Sequence, residues 1–171
     1  SGVEQNYEKA KEYYEISAGL DNSSGLLHLG LLYLNGFGVE KDYKKAKEYF
    51  ELSAELQDSN AINEIGNLFY KGYGVKKDYH EAKEYYELAA KQNNPNSLNN
   101  LGLMYYNGRG VNVNYLKAKE YWELSAQQNN SIALLYLGEL YKEGIAVKRD
   151  YLKAKEYYEL SAKQNNSVSL L

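Results

Sequence analysis

From Tyr43 to Leu56 the small and aromatic residues Ala46, Tyr49, Phe50, Ser53 and Ala54 fall three and four apart, with Lys44, Lys47, Glu48 and Glu51 between them. That spacing puts apolar side chains on one face of a 3.6-residue helix and charge on the other, so the segment is predicted to be an amphipathic helix. A second helical pattern runs from Ser59 to Lys71, where Ala61, Ile62, Ile65, Gly66 and Phe69 share a stripe. The two patterns alternate along the chain at a fixed interval of 36 residues, with no insertion or deletion. Tyr7, Tyr43, Tyr79, Tyr115 and Tyr151 mark the first type; Gly30, Gly66, Gly102 and Gly138 mark the second. Such a period denotes an array of helical hairpins, each burying its apolar face against the next.

The punctuation agrees. Asp42, Asp78, Asn114 and Asp150 precede helices of the first type, and Asn22, Asp58, Asn94, Asn130 and Asn166 precede the second. All can accept hydrogen bonds from the free amides of a first turn. Asp78 and Glu81 have the spacing of a capping box. Pro95 follows Asn94, at the first helical position, where a missing amide costs little. The pairs Gly36/Gly38, Gly72/Gly74 and Gly108/Gly110 suit a left-handed helix end and a tight turn. The fourth copy has Ala146 in place of the second glycine, and a positive φ there would cost roughly 1 kcal/mol. Gly30, Gly66, Gly102 and Gly138 fall inside helices, where glycine costs about 1 kcal/mol against alanine. Close helix approach is the expected compensation, with these glycines facing Ala10, Ala46, Ala82 and Ala118 or the series beginning at Ala18.

The expected map of this single domain is an unpaired helix over 7–22, complete two-helix repeats at 23–58, 59–94, 95–130 and 131–166, and the start of a further helix at 167–171. A solenoid is expected to close with a polar cap; Leu170 and Leu171 instead read as an adhesive end, of a fragment of a longer array or of a trimmed domain.

Composition narrows the classes. The formal net charge is −3 and the sequence pI is about 5.5, which gives no basic footprint for nucleic acid. No run of eighteen apolar residues provides a membrane span. Zero cysteines exclude disulfides, thiolate metal sites and thiol nucleophiles. With two histidines on different helix types, a zinc site is not expected, and no cofactor is indicated: Gly36-Phe37-Gly38 follows a helix and has neither the third glycine nor the lysine of a nucleotide loop. A serine-histidine-acid arrangement has no positions singled out by the period. The chain is therefore expected not to be an enzyme. Twenty tyrosines against three phenylalanines point to many half-buried positions, ring packed and hydroxyl reaching outward.

The chain resembles the Sel-1-like repeat family, a branch of the tetratricopeptide-like α-solenoids. The residues carrying the resemblance are Leu-Gly-x-x-Tyr at Leu29 to Tyr33, Leu101 to Tyr105 and Leu137 to Tyr141, Gly-x-Gly-Val at Gly36 to Val39, Gly72 to Val75 and Gly108 to Val111, and the Lys-Ala-x-x-Tyr-aromatic helices after them. The resemblance implies an all-α, right-handed solenoid of stacked antiparallel hairpins, with the Leu-Gly-x-x-Tyr helices lining its concave side. Cysteine-rich Helicobacter members place cysteines where this chain has Ala18 and Gly25, Ala54 and Ala61, or Ala126 and Ala133, a departure that weakens any carry-over of their reported penicillin-binding activity.

Function is then expected where the period is broken. On the Leu-Gly-x-x-Tyr helices the variable rows are Leu27, Asn63, Asn99, Leu135; Leu31, Asn67, Leu103, Glu139; and Leu34, Tyr70, Tyr106, Lys142, with His28, Glu64, Asn100 and Tyr136 beside them. The expected partner-binding set is Asn63, Asn67, Tyr70, Asn99, Asn100, Leu103, Tyr106, Leu135 and Glu139. Carboxamides can pair with the backbone of an extended peptide, and tyrosines add apolar area at low entropy cost. The leading expectation, in line with adaptor proteins of the family, is a non-catalytic scaffold holding a peptide or protein partner in the groove. The alternatives are a structural spacer associating end to end through Leu170, Leu171 and the first helix, and a weak hydrolase of β-lactam-like substrates.

Overall fold

The computed structural model describes residues 6–168, with side chains to 164. Among the described residues the chain forms nine helices and no strand: α1 Tyr7–Ala18, α2 Ser23–Asn35, α3 Tyr43–Glu55, α4 Ser59–Lys71, α5 Tyr79–Ala90, α6 Pro95–Asn107, α7 Tyr115–Ala126, α8 Ser131–Glu143 and α9 Tyr151–Val168. The all-α repeat fold anticipated from the period is the fold observed. Two compact units divide the chain, 1–88 and 89–171. The first holds α1 to α4 and nearly all of α5; the second holds α6 to α9. Neighbouring helices pack in sequence order, α1 on α2, α2 on α3 and α3 on α4 in the first unit, α6 on α7, α7 on α8 and α8 on α9 in the second.

Side-chain caps set the helix starts. Asp42 accepts from the amides of Lys44 and Lys45, each at 3.0 Å. Asp58 accepts from Asn60 at 2.9 Å, Asn94 from Ser97 at 3.0 Å and Asn130 from Ala133 at 3.0 Å. The even helices end on Gly36, Gly72, Gly108 and Gly144, all left-handed with φ between 67° and 76°. Two residues on, Gly38, Gly74 and Gly110 are left-handed again, and Ala146 adopts the same conformation at φ 57°, so the fourth copy carries a strain of about 1 kcal/mol. A further left-handed site had no glycine to announce it: Asp21, Gln57, Asn93 and Asn129 lie at φ 54° to 63°. Each lets the next amide reach back five residues, as Asn22 to the Ser17 carbonyl at 3.2 Å and Asp58 to the Ser53 carbonyl at 3.3 Å, which closes the short turn into the even helix.

Three features depart from the pattern read in the sequence. The helix α9 runs through Asn166 to Val168 without the break that the cap spacing suggests; Leu170 and Leu171 lie outside the described residues. The helical glycines lie closest to aromatic rings rather than to alanine side chains, and Gly66 approaches the Ala82 carbonyl as well, at 3.3 Å from a Cβ placed there. A Cβ on Gly66 would lie 2.7 Å from the Tyr86 ring, and one on Gly138 2.6 Å from the Tyr158 ring; Gly30 and Gly102 are covered in the same way by Phe50 and Trp122. Each glycine therefore makes room for one large ring from the following odd helix, and the ring's burial compensates for the glycine's helix cost. The third departure is a serine series. Ser53, Ser125 and Ser161, all buried, donate to the carbonyls of Ser23, Pro95 and Ser131 at 2.7–2.8 Å, tying the end of each odd helix to the start of the even helix before it. The second copy has Ala89 at this position.

The core is the strictly repeated set. Ala46, Ala82 and Ala118 are fully buried, as are Leu29, Ile65, Leu101 and Leu137 to within 1%. Outside, lysine and glutamate four apart pair at 2.7–2.8 Å in Lys11–Glu15, Lys83–Glu87 and Lys119–Glu123, and Lys47 pairs with Glu51 in the same register. Such exposed pairs contribute a few tenths of a kcal/mol.

Candidate functional site

Each unit has an open face built by its even helices. In the first unit it carries His28, Leu31 and Asn35 from α2 and Glu64, Asn67 and Lys71 from α4; in the second, Asn100, Leu103 and Asn107 from α6 and Tyr136, Glu139 and Glu143 from α8. Every one of these side chains is half-buried or exposed. Their spacing of three and four residues puts them along one stripe of each helix.

The expected site residues divide by burial. Asn67, Tyr70, Asn100, Leu103, Tyr106 and Glu139 are half-buried on or beside these faces, and Leu135 is 43% exposed. Asn63 and Asn99, by contrast, are 2% and 5% exposed. Leu27, at the same repeat position, packs in one cluster with Ala61 and Ile65 of α4, so this position belongs to a packed flank of α2 and not to its open face. Asn63 Nδ2 donates to Glu64 Oε1 at 3.1 Å. Asn99 Oδ1 is buried with no hydrogen-bond partner among the described residues. A buried acceptor without a donor costs about 1–3 kcal/mol, so Asn99→Leu, which restores the residue type of the first copy, is expected to stabilise the chain by about 1 kcal/mol. Urea unfolding checks this, and a lowered midpoint would contradict it.

The period hid a row of functional interest. Tyr14, Phe50, Tyr86, Trp122 and Tyr158 occupy one position of the odd helices, and their tips reach the even helices. The Tyr86 hydroxyl donates to Asn67 Oδ1 at 2.8 Å, the Tyr158 hydroxyl to Glu139 Oε1 at 2.7 Å, and Trp122 Nε1 to the Asn99 carbonyl at 3.2 Å. The signal was available: this aromatic row is strictly periodic in place but varies in its polar tip. Burial pushes the Tyr86 hydroxyl far above the ordinary phenol range. Burial, reinforced by Glu139, pushes Tyr158 up to about 12, and the Tyr158 hydrogen bond holds the Glu139 carboxyl below its usual range, helped by Lys142. Both phenols remain protonated donors near neutral pH.

The same aromatic packing recurs within each unit. Tyr70 meets Tyr79 edge-on at 5.2 Å and lies tilted 6.4 Å from Tyr86; Tyr106 meets Tyr115 edge-on at 5.2 Å and lies tilted 5.5 Å from Trp122. Tyr136 stacks on Trp122 at 4.7 Å and His28 on Tyr14 at 4.8 Å. A cleft of about 430 Å³ opens between α1 and α2 beside Tyr14, His28 and Leu31. His28 Nδ1 is 2.7 Å from the Ser24 carbonyl, which fixes the ring, and His80 is exposed in the first turn of α5. Among the described residues no group of three His, Cys, Asp or Glu side chains could hold a metal ion, and no helix is long and apolar enough to cross a membrane.

No curated protein matches the sequence. Solved structures do. A Sel1 repeat protein from Oxalobacter formigenes is 33% identical with a TM-score of 0.84, over 95% of this chain and 66% of that one. The protective antigen c5321 of uropathogenic Escherichia coli strains, which displays the SLR fold, is 32% identical with a TM-score of 0.79, over 90% of this chain and 33% of that one. The cysteine-rich protein B of Helicobacter pylori is 27% identical with a TM-score of 0.58, over 78% and 96%. This chain thus spans under two thirds of the length of the first two. The Sel1 repeat model matches residues 1–22, 23–58, 59–94, 95–130 and 131–166, the same period that the capped helices and ring-filled glycines build, and the chain belongs to the Sel1 repeat family.

Proposed function

We propose that this chain is a non-catalytic scaffold that holds a segment of a protein partner on the open face of the even helices, at α2 and α4 in the first unit and at α6 and α8 in the second. Sel1 repeat proteins are generally protein-interaction scaffolds. The observation that carries the reading is the contrast between rows. Most buried positions keep their residue class from copy to copy, as in Leu29, Ile65, Leu101, Leu137 and in Phe50, Tyr86, Trp122, whereas the open rows mix apolar, amide, acidic and aromatic groups, Leu31, Asn67, Leu103, Glu139 and beside it His28, Glu64, Asn100, Tyr136. A face kept only for solubility has no need of half-buried tyrosine and leucine among its polar groups. The cleft beside Tyr14, His28 and Leu31 offers apolar depth for a partner side chain.

Site-specific photo-crosslinking in the native source tests this. A benzophenone side chain at Asn67 or Leu103 is expected to capture one partner through a defined segment of that partner. The same group at Leu52 or Leu124, exposed on odd helices at 47% each, is expected not to. Equal capture from both positions, or capture from the odd helices alone, overturns the reading.

A further inference from the structure

Within that reading, we propose that Glu64 is the anchor for a basic side chain of the bound segment, an arginine guanidinium before a lysine ammonium. Both oxygens of the Glu64 carboxylate are held from the protein side, Oε1 by Asn63 Nδ2 and Oε2 by Asn67 Nδ2, each at 3.1 Å. The orientation of the Asn67 amide is set behind it. Tyr86 is 1% exposed, its hydroxyl stays protonated, and it donates to Asn67 Oδ1 at 2.8 Å. The amide's other end must therefore donate. The relay runs in one direction, from the buried phenol through the carboxamide to the carboxylate, and delivers a fixed negative charge to the open face of α4.

That charge has no counterion. Among the described residues no lysine, arginine or histidine lies within ion-pair distance of Glu64. The one lysine of α4, Lys71, sits over the Tyr73 ring at 5.4 Å. The second unit makes the comparison. On α8 the carboxylate stands at Glu139, the repeat position of Asn67 rather than of Glu64; it accepts a hydrogen bond from the Tyr158 hydroxyl, and Lys142, three residues later, closes on its other oxygen at 3.2 Å. On α4 the residue in the place of Lys142 is Tyr70. Three residues after Glu64, where Glu139 has Lys142, stands the Asn67 amide, so a neutral donor takes the place of the cation and the carboxylate is left to be neutralised from outside.

An ionised carboxylate has about four acceptor positions, and the two asparagines occupy two of them. The remaining pair, one on each oxygen, matches the parallel donors of a guanidinium, which binds such a pair as a fork; an ammonium satisfies them less completely. The Tyr70 ring, one turn beyond Asn67, gives the apolar stem of either side chain a surface to lie along.

The test uses the whole chain, labelled with ¹⁵N, and three short acetylated peptides identical except for a central arginine, lysine or citrulline. Citrulline keeps the shape of arginine without its charge. The arginine peptide is expected to shift the amide resonances of α4 around Glu64 and Asn67, with the lysine peptide weaker and the citrulline peptide weaker by about tenfold or more, the loss expected for a charge-assisted pair. Glu64→Gln, which preserves size and one acceptor, is expected to abolish the difference between arginine and citrulline, while Glu48→Gln, exposed on the odd helix α3, leaves it unchanged. The proposal is overturned if citrulline binds as well as arginine, if Glu64→Gln retains the preference, or if the shifts map to the odd helices. If crosslinking captures a partner on the even helices and Glu64→Gln binds it undiminished, this anchor falls while the scaffold reading stands. If no partner is captured there, the scaffold reading itself falls.

Discussion

Replacing Trp122 with alanine is expected to lower the stability of the second unit by about 3–5 kcal/mol, the range for deleting a fully buried tryptophan. Trp122 is 1% exposed and is the largest fully buried side chain among the described residues. Its indole fills the space left by Gly102, stacks on Tyr136 and leans on Tyr106, and donates to the Asn99 carbonyl. One side chain of α7 therefore touches α6 and α8 together, and its removal leaves a cavity bordered by rigid helices that cannot collapse onto it. Urea denaturation monitored at 222 nm measures the loss; Leu124→Ala, on the exposed side of the same helix, is expected to change stability far less. A loss for Trp122→Ala no greater than that of the control would show that the ring does not join these helices.

The second large effect has a sign opposite to helix propensity. Gly102→Ala by propensity alone would stabilise α6 by about 1 kcal/mol. A Cβ there would lie 2.6 Å and 2.8 Å from Cδ1 and Cε2 of Trp122, distances at which the indole or the helix must move, and overpacking of a filled core costs about 1–3 kcal/mol. The net result expected is destabilisation. Gly19→Ala supplies the control: Gly19 has φ −65° and an added Cβ meets nothing closer than 3.4 Å, so that change is expected to be neutral or mildly stabilising. The partner of the clash can be removed as well. In the background of Trp122→Ala, Gly102→Ala is expected to lose its cost and recover its propensity gain, a non-additivity that only contacting residues show. Additive effects would place the glycine's role elsewhere.

The fate of particular residues shows how far the sequence could be read. The caps were legible because they act locally: Asp42, Asp58 and Asn94 need only their own position and the next two or three amides, and the residue type announces the geometry. Ala146 was legible through its three glycine counterparts. The partner of each helical glycine was not. Sequence spacing gives the face of a helix, but that Gly66 meets the Tyr86 ring as well as the Ala82 backbone depends on the depth at which two helices cross, and the ring's volume needs the gap that glycine leaves. The site divided in the same way. Asn63 and Asn67 lie four apart, yet Asn63 is buried and Asn67 is half-buried on the open face, since four residues advance the helix by more than a full turn and the two side chains stand on different edges of one stripe.

By itself, then, the sequence determined the period, the helix types and their capped starts up to α9, the turn chemistry between them and the family, because all of these rest on interactions a few residues long repeated in register. The tertiary structure alone decided which ring fills which glycine, which asparagines lose solvent, and that Glu64 is held by two amides and Tyr86 with no cation beside it. Those outcomes depend on side chains far apart in sequence meeting at contact distance, and no periodicity of residue types fixes such distances.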